Sequence, residues 1–391
     1  MKTKFFMLAI ATGLFLNSCT SDDDSSTPAP VLATGEITGD IAATKTFAKG
    51  NYTLKGIVKI KSGVTVTFAA GSTITADVVS GVDALVVENG GKLEMIGTAA
   101  EPIICTEVSK VAGSWGGIIM YGDAPIVGAN GVATANSEDG LATAYGGTNA
   151  SHNGGTLKYV RVEYAGKKIT DGTSEMNGFS FYSVGSGTTL ENLVSFNGAD
   201  DGFEFYGGTV SLKNSISYGN SDDSFDWQDG WRGENSTNWF AYQVGIGNFG
   251  IEAEARSVNN AFFPKVSNIT LRRAAGTVTE GGTSAVEFDA IQFKRQGNGE
   301  YTNIVISGYT SAGATAVRIQ DAPTNTDQVN GNKIKLFNVK ISDGTAQWGG
   351  IPAITVAFPA ANYTLSATAT GASLTAGAWA TVNGVNLLAN L

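Results

Sequence analysis

Seven acidic residues recur at spacings that would gather them in a stacked fold. Asp200-Asp201 is followed 22 residues later by Asp222-Asp223, and Glu204 by Asp226 at the same interval, with Glu252 one period further on. If the chain coils on itself at this period, Glu204, Asp226 and Glu252 form a row with neighbours about 4.8 Å apart. The paired aspartates would stack at the adjoining turn. Like charges at that spacing repel unless a cation binds, a basic side chain intrudes, or some pKa values rise. An all-oxygen cluster of this kind suits calcium. The competing explanation is that Asp and Asn favour turns and that water screens the row.

A second group lies in the turn from Gln228 to Asn238. Asp229, Trp231, Arg232 and Glu234 stand together there, beside Trp227, Trp239, Phe240 and Tyr242. The coil pattern sends Trp227 and one of Trp239 or Phe240 inward. An exposed Trp231 would stack on a sugar ring while the charged residues bond its hydroxyls. Packing of Trp231 over the core is the alternative.

These residues need a scaffold that repeats. Leu190 to Phe205 and Leu212 to Trp227 are the same coil written twice. A fixed period of this size signals a solenoid. Each coil carries an Asn before alternating apolar residues: Asn192, Asn214, Asn238, Asn268, Asn303 and Asn338. Each also carries a short strand, as in Gly202-Phe203-Glu204-Phe205, Ser224-Phe225-Asp226-Trp227, Gly250-Ile251-Glu252-Ala253, Ala290-Ile291-Gln292-Phe293 and Ala316-Val317-Arg318-Ile319. Gly350-Ile351-Pro352-Ala353 continues the series. Phe179, Phe203, Phe225, Ile251, Ile291 and Val317 form one predicted inward stack. Phe181, Phe205, Trp227, Ala253, Phe293 and Ile319 form the next. Ser180, Glu204, Asp226, Glu252, Gln292 and Arg318 face outward. The Asn series is expected to form an inward amide ladder at a bend, with a structural role. The fold class is all-β, a single-domain parallel β-helix over residues 36–391, right-handed by the rule for parallel crossovers. Residues 122–155 interrupt the pattern with a long loop that holds the single histidine, His152. Ala360 to Leu391 is expected to be the last coil and its cap.

The chain begins with basic Met1 to Lys4, the apolar run Phe5 to Leu16, and Leu16-Asn17-Ser18-Cys19. The apolar run is too short for a mature membrane span and reads as a signal peptide over residues 1–18. The last four residues resemble a bacterial lipobox, which implies lipidation of Cys19 and anchorage to a membrane. Residues 19–35 are polar, acidic and proline-containing, a flexible tether. The acids after Cys19 resemble a surface-export signal. Loss of residues 1–18 removes Lys2 and Lys4 and no acid, taking the net charge from −10 to −12. That argues against nucleic acid as a partner. Apart from Cys19 only Cys105 remains, so no intramolecular disulfide is available.

The run Ala84–Thr106, Trp115-Gly116-Gly117-Ile118-Ile119, Leu157–Gly166, the two acidic repeats and Asp229-Gly230-Trp231-Arg232-Gly233 together resemble a family of Bacteroidetes surface lipoproteins with a pectin-lyase-like β-helix. The resemblance spans most of the mature chain. It implies the fold and an outward-facing location on the outer membrane, and no defined biochemical role.

Three functions follow as expectations. The first is non-enzymatic binding of a glycan or other extracellular ligand, beside an outer-membrane transporter. The second is a calcium-dependent polysaccharide lyase or a glycoside hydrolase acting through the carboxylates. The third is an assembly protein of a membrane complex. Against catalysis, His152 lacks the Gly-His-Gly context of polygalacturonases, and Arg256, Arg272-Arg273 and Lys294-Arg295 match no lyase pattern. A single histidine also makes a Ser-His-Asp triad improbable. Phosphate-loop, dinucleotide and Cys metal motifs are absent from the sequence.

Overall fold

The computed structural model describes residues 32–79, 81–169, 174–258, 263–280, 287–351 and 354–391. The signal segment, Cys19, the tether up to residue 31, and Pro352-Ala353 lie outside the described residues. The expected parallel β-helix is what the chain forms: one continuous sheet of 24 strands, all pairing in parallel from coil to coil. Pairing starts at Ala33–Ile41, which lies on Gly50–Ile60.

Each central coil consists of one long strand bent at its Asn and one short strand. Thr189–Phe196 and Phe203–Tyr206 are one such pair. The short strands stack in strict register, with Ser180, Glu204, Asp226, Glu252, Gln292 and Arg318 successive partners. Alternation at period two then separates the faces. Phe179, Phe203 and Phe225 stack inside at centroid spacings of 5.0 and 5.3 Å, and both predicted inward rows are buried throughout.

The Asn ladder is real but not inward. Asn192, Asn214, Asn238, Asn268, Asn303 and Asn338 all take left-handed backbone conformations, with φ between 55° and 60°. Asn tolerates this region better than other side-chain-bearing residues. The bend there lets one strand serve two faces, and it leaves most of these carboxamides half-buried or exposed on the outer side of the corner. Asn238 Nδ2 donates to Asn214 Oδ1 at 3.0 Å, and Asn303 Nδ2 to Asn268 Oδ1 at 2.6 Å.

The C-terminal stretch also departs from expectation. Tyr363–Leu365 is the last strand of the sheet. The rest of the chain does not cap the end. It runs back along the solenoid as a strap over the outer side of the long strands. Val194, Ile216 and Phe240 form an outward apolar row in register, and Ala372, Trp379, Ala380, Val382 and Leu387 bury it. Arg161 extends the same row and donates Nη1 to the strap carbonyls of Ala378 and Thr381. The strap forms because a row of large apolar side chains on an outer face has to be covered.

The strap's contribution is measurable. Trp379 is 1 % exposed and packs edge-on against Tyr159. Trp379→Ala is expected to cost about 3–5 kcal/mol in denaturant unfolding. Truncation after Leu365 is expected to give a protein that binds a hydrophobic dye and self-associates.

Candidate functional site: an acidic cleft

The outward carboxylates of the short strands form the floor of a cleft of about 500 Å³. Glu204, Asp226 and Glu252 come from successive strands, and the turns ahead of them supply Asp200-Asp201 and Asp222-Asp223. All seven acids expected to gather do so. The 122–155 segment adds a wall. Tyr145 in its short hairpin packs on Tyr182 at 5.1 Å. This carries Glu138 over the floor, where it accepts from Tyr206 Oη at 2.9 Å and Gln228 Nε2 at 3.3 Å. His152, 4 % exposed, is packed at the far end of the segment beside Gly122 and Gly185 and takes no part in the cleft.

The carboxylates divide into satisfied and unsatisfied groups. Asp201 Oδ1 accepts from the Asp223 backbone N–H at 2.8 Å, and Asp223 Oδ1 from that of Phe249 at 2.7 Å. These two acids thus tie each turn to the next. Glu204 accepts from Asn177 Nδ2 at 2.6 Å, Gln228 Nε2 at 3.2 Å and Tyr206 Oη. Glu252 pairs with Lys294. Asp226, between Glu204 and Glu252, is 9 % exposed, and its Oδ1 is buried with no hydrogen-bond partner. Asp200, 2 % exposed, has an orphaned Oδ2. A buried ionised group without a partner is strongly unfavourable.

Four overlapping trios hold carboxylate oxygens within 4.8 Å of one another. Asp226 belongs to two of them, with Asp201 and Glu204 on one side and with Asp223 and Glu252 on the other. Oxygen donors in this density match the six to eight oxygen ligands of calcium. The cleft lining counts twelve carboxylates against Lys168, Arg256, Lys294 and Arg295 among the described residues, so internal ion pairs cannot neutralise it.

Burial, then the neighbouring charges of Glu252 and Glu204, pushes the Asp226 carboxyl well above the usual range. Burial and Asp223 do the same to Asp201, and burial and Asp222 to Asp200. Asp222 is pushed up to about 7, chiefly by burial with Glu280 and Glu252 adding to it. Burial works against the charge of Lys294, but Glu252, Glu254 and Asp226 outweigh it and raise its pKa. Lys294 is therefore a fixed cation at neutral pH and not a ready proton acceptor.

The aromatic group needs correction. Trp231 is 1 % exposed. It stacks on Phe205 at 4.6 Å, lies 5.2 Å from Trp227, and donates Nε1 to the Val210 carbonyl at 3.0 Å. Gly233 permits this, since any Cβ there would strike the indole. The burial gain of a large ring with its N–H satisfied decides the outcome. Nor do the four residues converge. Asp229 is buried and accepts from Tyr145 Oη at 2.5 Å, whereas Arg232 and Glu234 line a different depression. Glu138, Glu175, Glu254, Glu280 and Glu287 complete the cleft and escaped the sequence reading. Glu254 was findable, two residues after Glu252 on the same alternation.

A family model described as a pectate-lyase-like beta helix domain matches residues 36–383. No curated protein and no solved structure matches the chain significantly.

The cleft makes a signed prediction about pH. Asp200, Asp201, Glu204, Asp222, Asp223, Asp226 and Glu252 have folded pKa values above their unfolded values near 4, so the folded state binds more protons in that interval. Their contribution to stability is full below about pH 4 and is lost as pH rises through the folded values, which for Asp222 means about 7. His152, held neutral by burial, has the opposite sign, but only below its unfolded value near 6.5. With chelator present, urea midpoints are expected to fall from pH 6.5 to pH 8. An Asp200→Asn/Asp226→Asn variant should flatten that slope.

Proposed function

The chain belongs to the pectate-lyase-like β-helix domain family, and from that premise we propose that it is a cell-surface protein whose acidic cleft holds a divalent cation, calcium by its donor set, and through it binds an anionic or polyhydroxylated extracellular ligand without cleaving it. Asp226 carries the reading. A buried carboxylate with an orphaned oxygen, shared by two oxygen trios, is what a cation site presents when its donors face one another. The residues fit such an ion: all donors are oxygens, and Asp201 and Asp223 are held in place by backbone N–H groups of the next turn. A bound cation would offer open positions to a uronate carboxylate or vicinal hydroxyls of a glycan. The basic groups that line the cleft support binding over turnover. Lys294 is paired with Glu252 and Glu254, and Arg256 and Arg295 with Glu254. Anchorage rests on Leu16-Asn17-Ser18-Cys19, with lipid on Cys19 holding the β-helix at the outer membrane.

Removing the Asp226 charge should separate two effects. Asp226→Asn is expected to raise the melting temperature in chelator and to abolish the rise that calcium gives the unaltered protein. That rise should correspond to about 2.7 kcal/mol at a hundredfold excess over Kd. A calcium shift that persists in the variant, or none in either protein, would sink the cation site. Release of unsaturated uronates from polygalacturonate or alginate with calcium would replace the binding reading with a lyase. For the anchor, Cys19→Ser is expected to stop labelled palmitate incorporation and to move the protein from the membrane to the soluble fraction.

A further inference from the structure

We propose a second ligand site, separate from the acidic cleft: a polar groove where the C-terminal strap arches over the Asn corner, fitted to a short neutral oligosaccharide. Along most of the corner the strap lies close. Ser373 N–H donates to Asn238 Oδ1 at 3.2 Å, and Thr370 N–H to Asn303 Oδ1 at 2.8 Å. At Asn192 this pattern stops. Asn192 is 9 % exposed, and neither its carboxamide nor the Asn214 NH2 bonds any described residue beyond the Asn238 contact at Asn214 Oδ1. Between these amides and the strap is a cavity of about 310 Å³, lined also by Thr375 and by the half-buried Tyr159, against which Trp379 packs edge-on. The described corners at Asn214, Asn238, Asn268 and Asn303 each spend their carboxamide on a neighbour, whereas the idle group at Asn192 lines this cavity.

The cavity continues outward. Glu191 lines both it and an adjoining depression of about 430 Å³, whose charged lining is Glu191, Lys213, Arg232 and Glu234. Two acids and two bases leave no net charge, so the groove selects neither a polyanion nor a cation. Thr189 and Asn235, both exposed, add a hydroxyl and a carboxamide to the lining. Arrays of paired donors and acceptors with an aromatic wall suit a chain of sugar hydroxyls and C–H faces. Each volume lies at the lower end of the range for small-ligand pockets, which fits one or two sugar rings apiece.

The test is calorimetric titration of the purified protein with xylohexaose, cellohexaose, mannohexaose, maltohexaose and laminarihexaose, with trigalacturonate as the anionic comparison. At least one neutral hexasaccharide is expected to bind, with tryptophan emission changing through Trp379. Asn192→Gly, which keeps the left-handed backbone accessible, and Thr375→Trp, which fills the arch, should each weaken that binding at least tenfold. Asp226→Asn and chelator should leave it unchanged. No binding by any neutral member, or binding that both groove variants retain, or binding lost with Asp226→Asn, would overturn the proposal. The last result would assign the sugar to the acidic cleft instead.

Discussion

The spacing between stacked coils governs the rest of this protein. Every outward position becomes a row with neighbours about 4.8 Å apart, so a residue chosen for one coil has to coexist with its copy on the next. For Phe203 and Phe225 the consequence is a stack in the core. For Glu204, Asp226 and Glu252 it is repulsion. Two unit charges at that distance cost about 3 kcal/mol at an effective dielectric of 20. That exceeds the net gain of about 1 kcal/mol from an ordinary hydrogen bond. Hydrogen bonds to Glu204 and the Lys294 pair at Glu252 relieve the ends of the row, whereas Asp226 in the middle keeps an oxygen without a hydrogen bond and is eased only by the nearby charge of Lys294.

The same spacing explains the corner and the strap. A coil that turns within one continuous strand needs a residue at positive φ, and the Asn series supplies it. Past that bend the strand alternates again, so Val194, Ile216 and Phe240 line up outside as surely as the aromatic rows line up inside. The interior rows are covered by the coil itself. The exterior row is covered only by a segment that belongs to no coil.

That division sets what the sequence could reveal. Residues that repeat were legible: the inward rows, the outward acids and the Asn positions each announce themselves by period. Residues in segments that leave the period were not. Nothing in the spacing of Leu374, Trp379, Val382 and Leu387 says that they return along the solenoid instead of closing its end. Glu138 reaches the cleft because Tyr145 packs on Tyr182 and Tyr206, a contact between a loop and two coils. Trp231 sits in a turn of irregular length, and its burial depends on space beside Phe205 and Trp227 that no local pattern encodes. The Asn ladder lies outward for a different reason: at positive φ the bend itself turns the carboxamides to the outer side of the corner.

The flanking rungs bear on whether the acids are merely turn chemistry. The row that holds Glu204, Asp226 and Glu252 has Ser180 before it and Gln292 and Arg318 after it, all in register. Ser180 and Gln292 are buried and neutral, so the fold accepts an uncharged side chain at this position. Arg318 pairs with the buried Asp289 at 2.9 Å, so the fold also accepts a paired charge. Turn propensity explains aspartates at 200, 201, 222 and 223, where the chain bends and where Asp201 and Asp223 bond the next backbone. It does not explain three consecutive carboxylates in the middle of strands, where Asp is depleted. The acid is concentrated on three coils and bounded on both sides by solutions that carry no repulsion. Any of those neighbouring choices would neutralise a row that raises the free energy of the empty protein, and this is why we propose that its explanation lies outside the fold, in something that binds there.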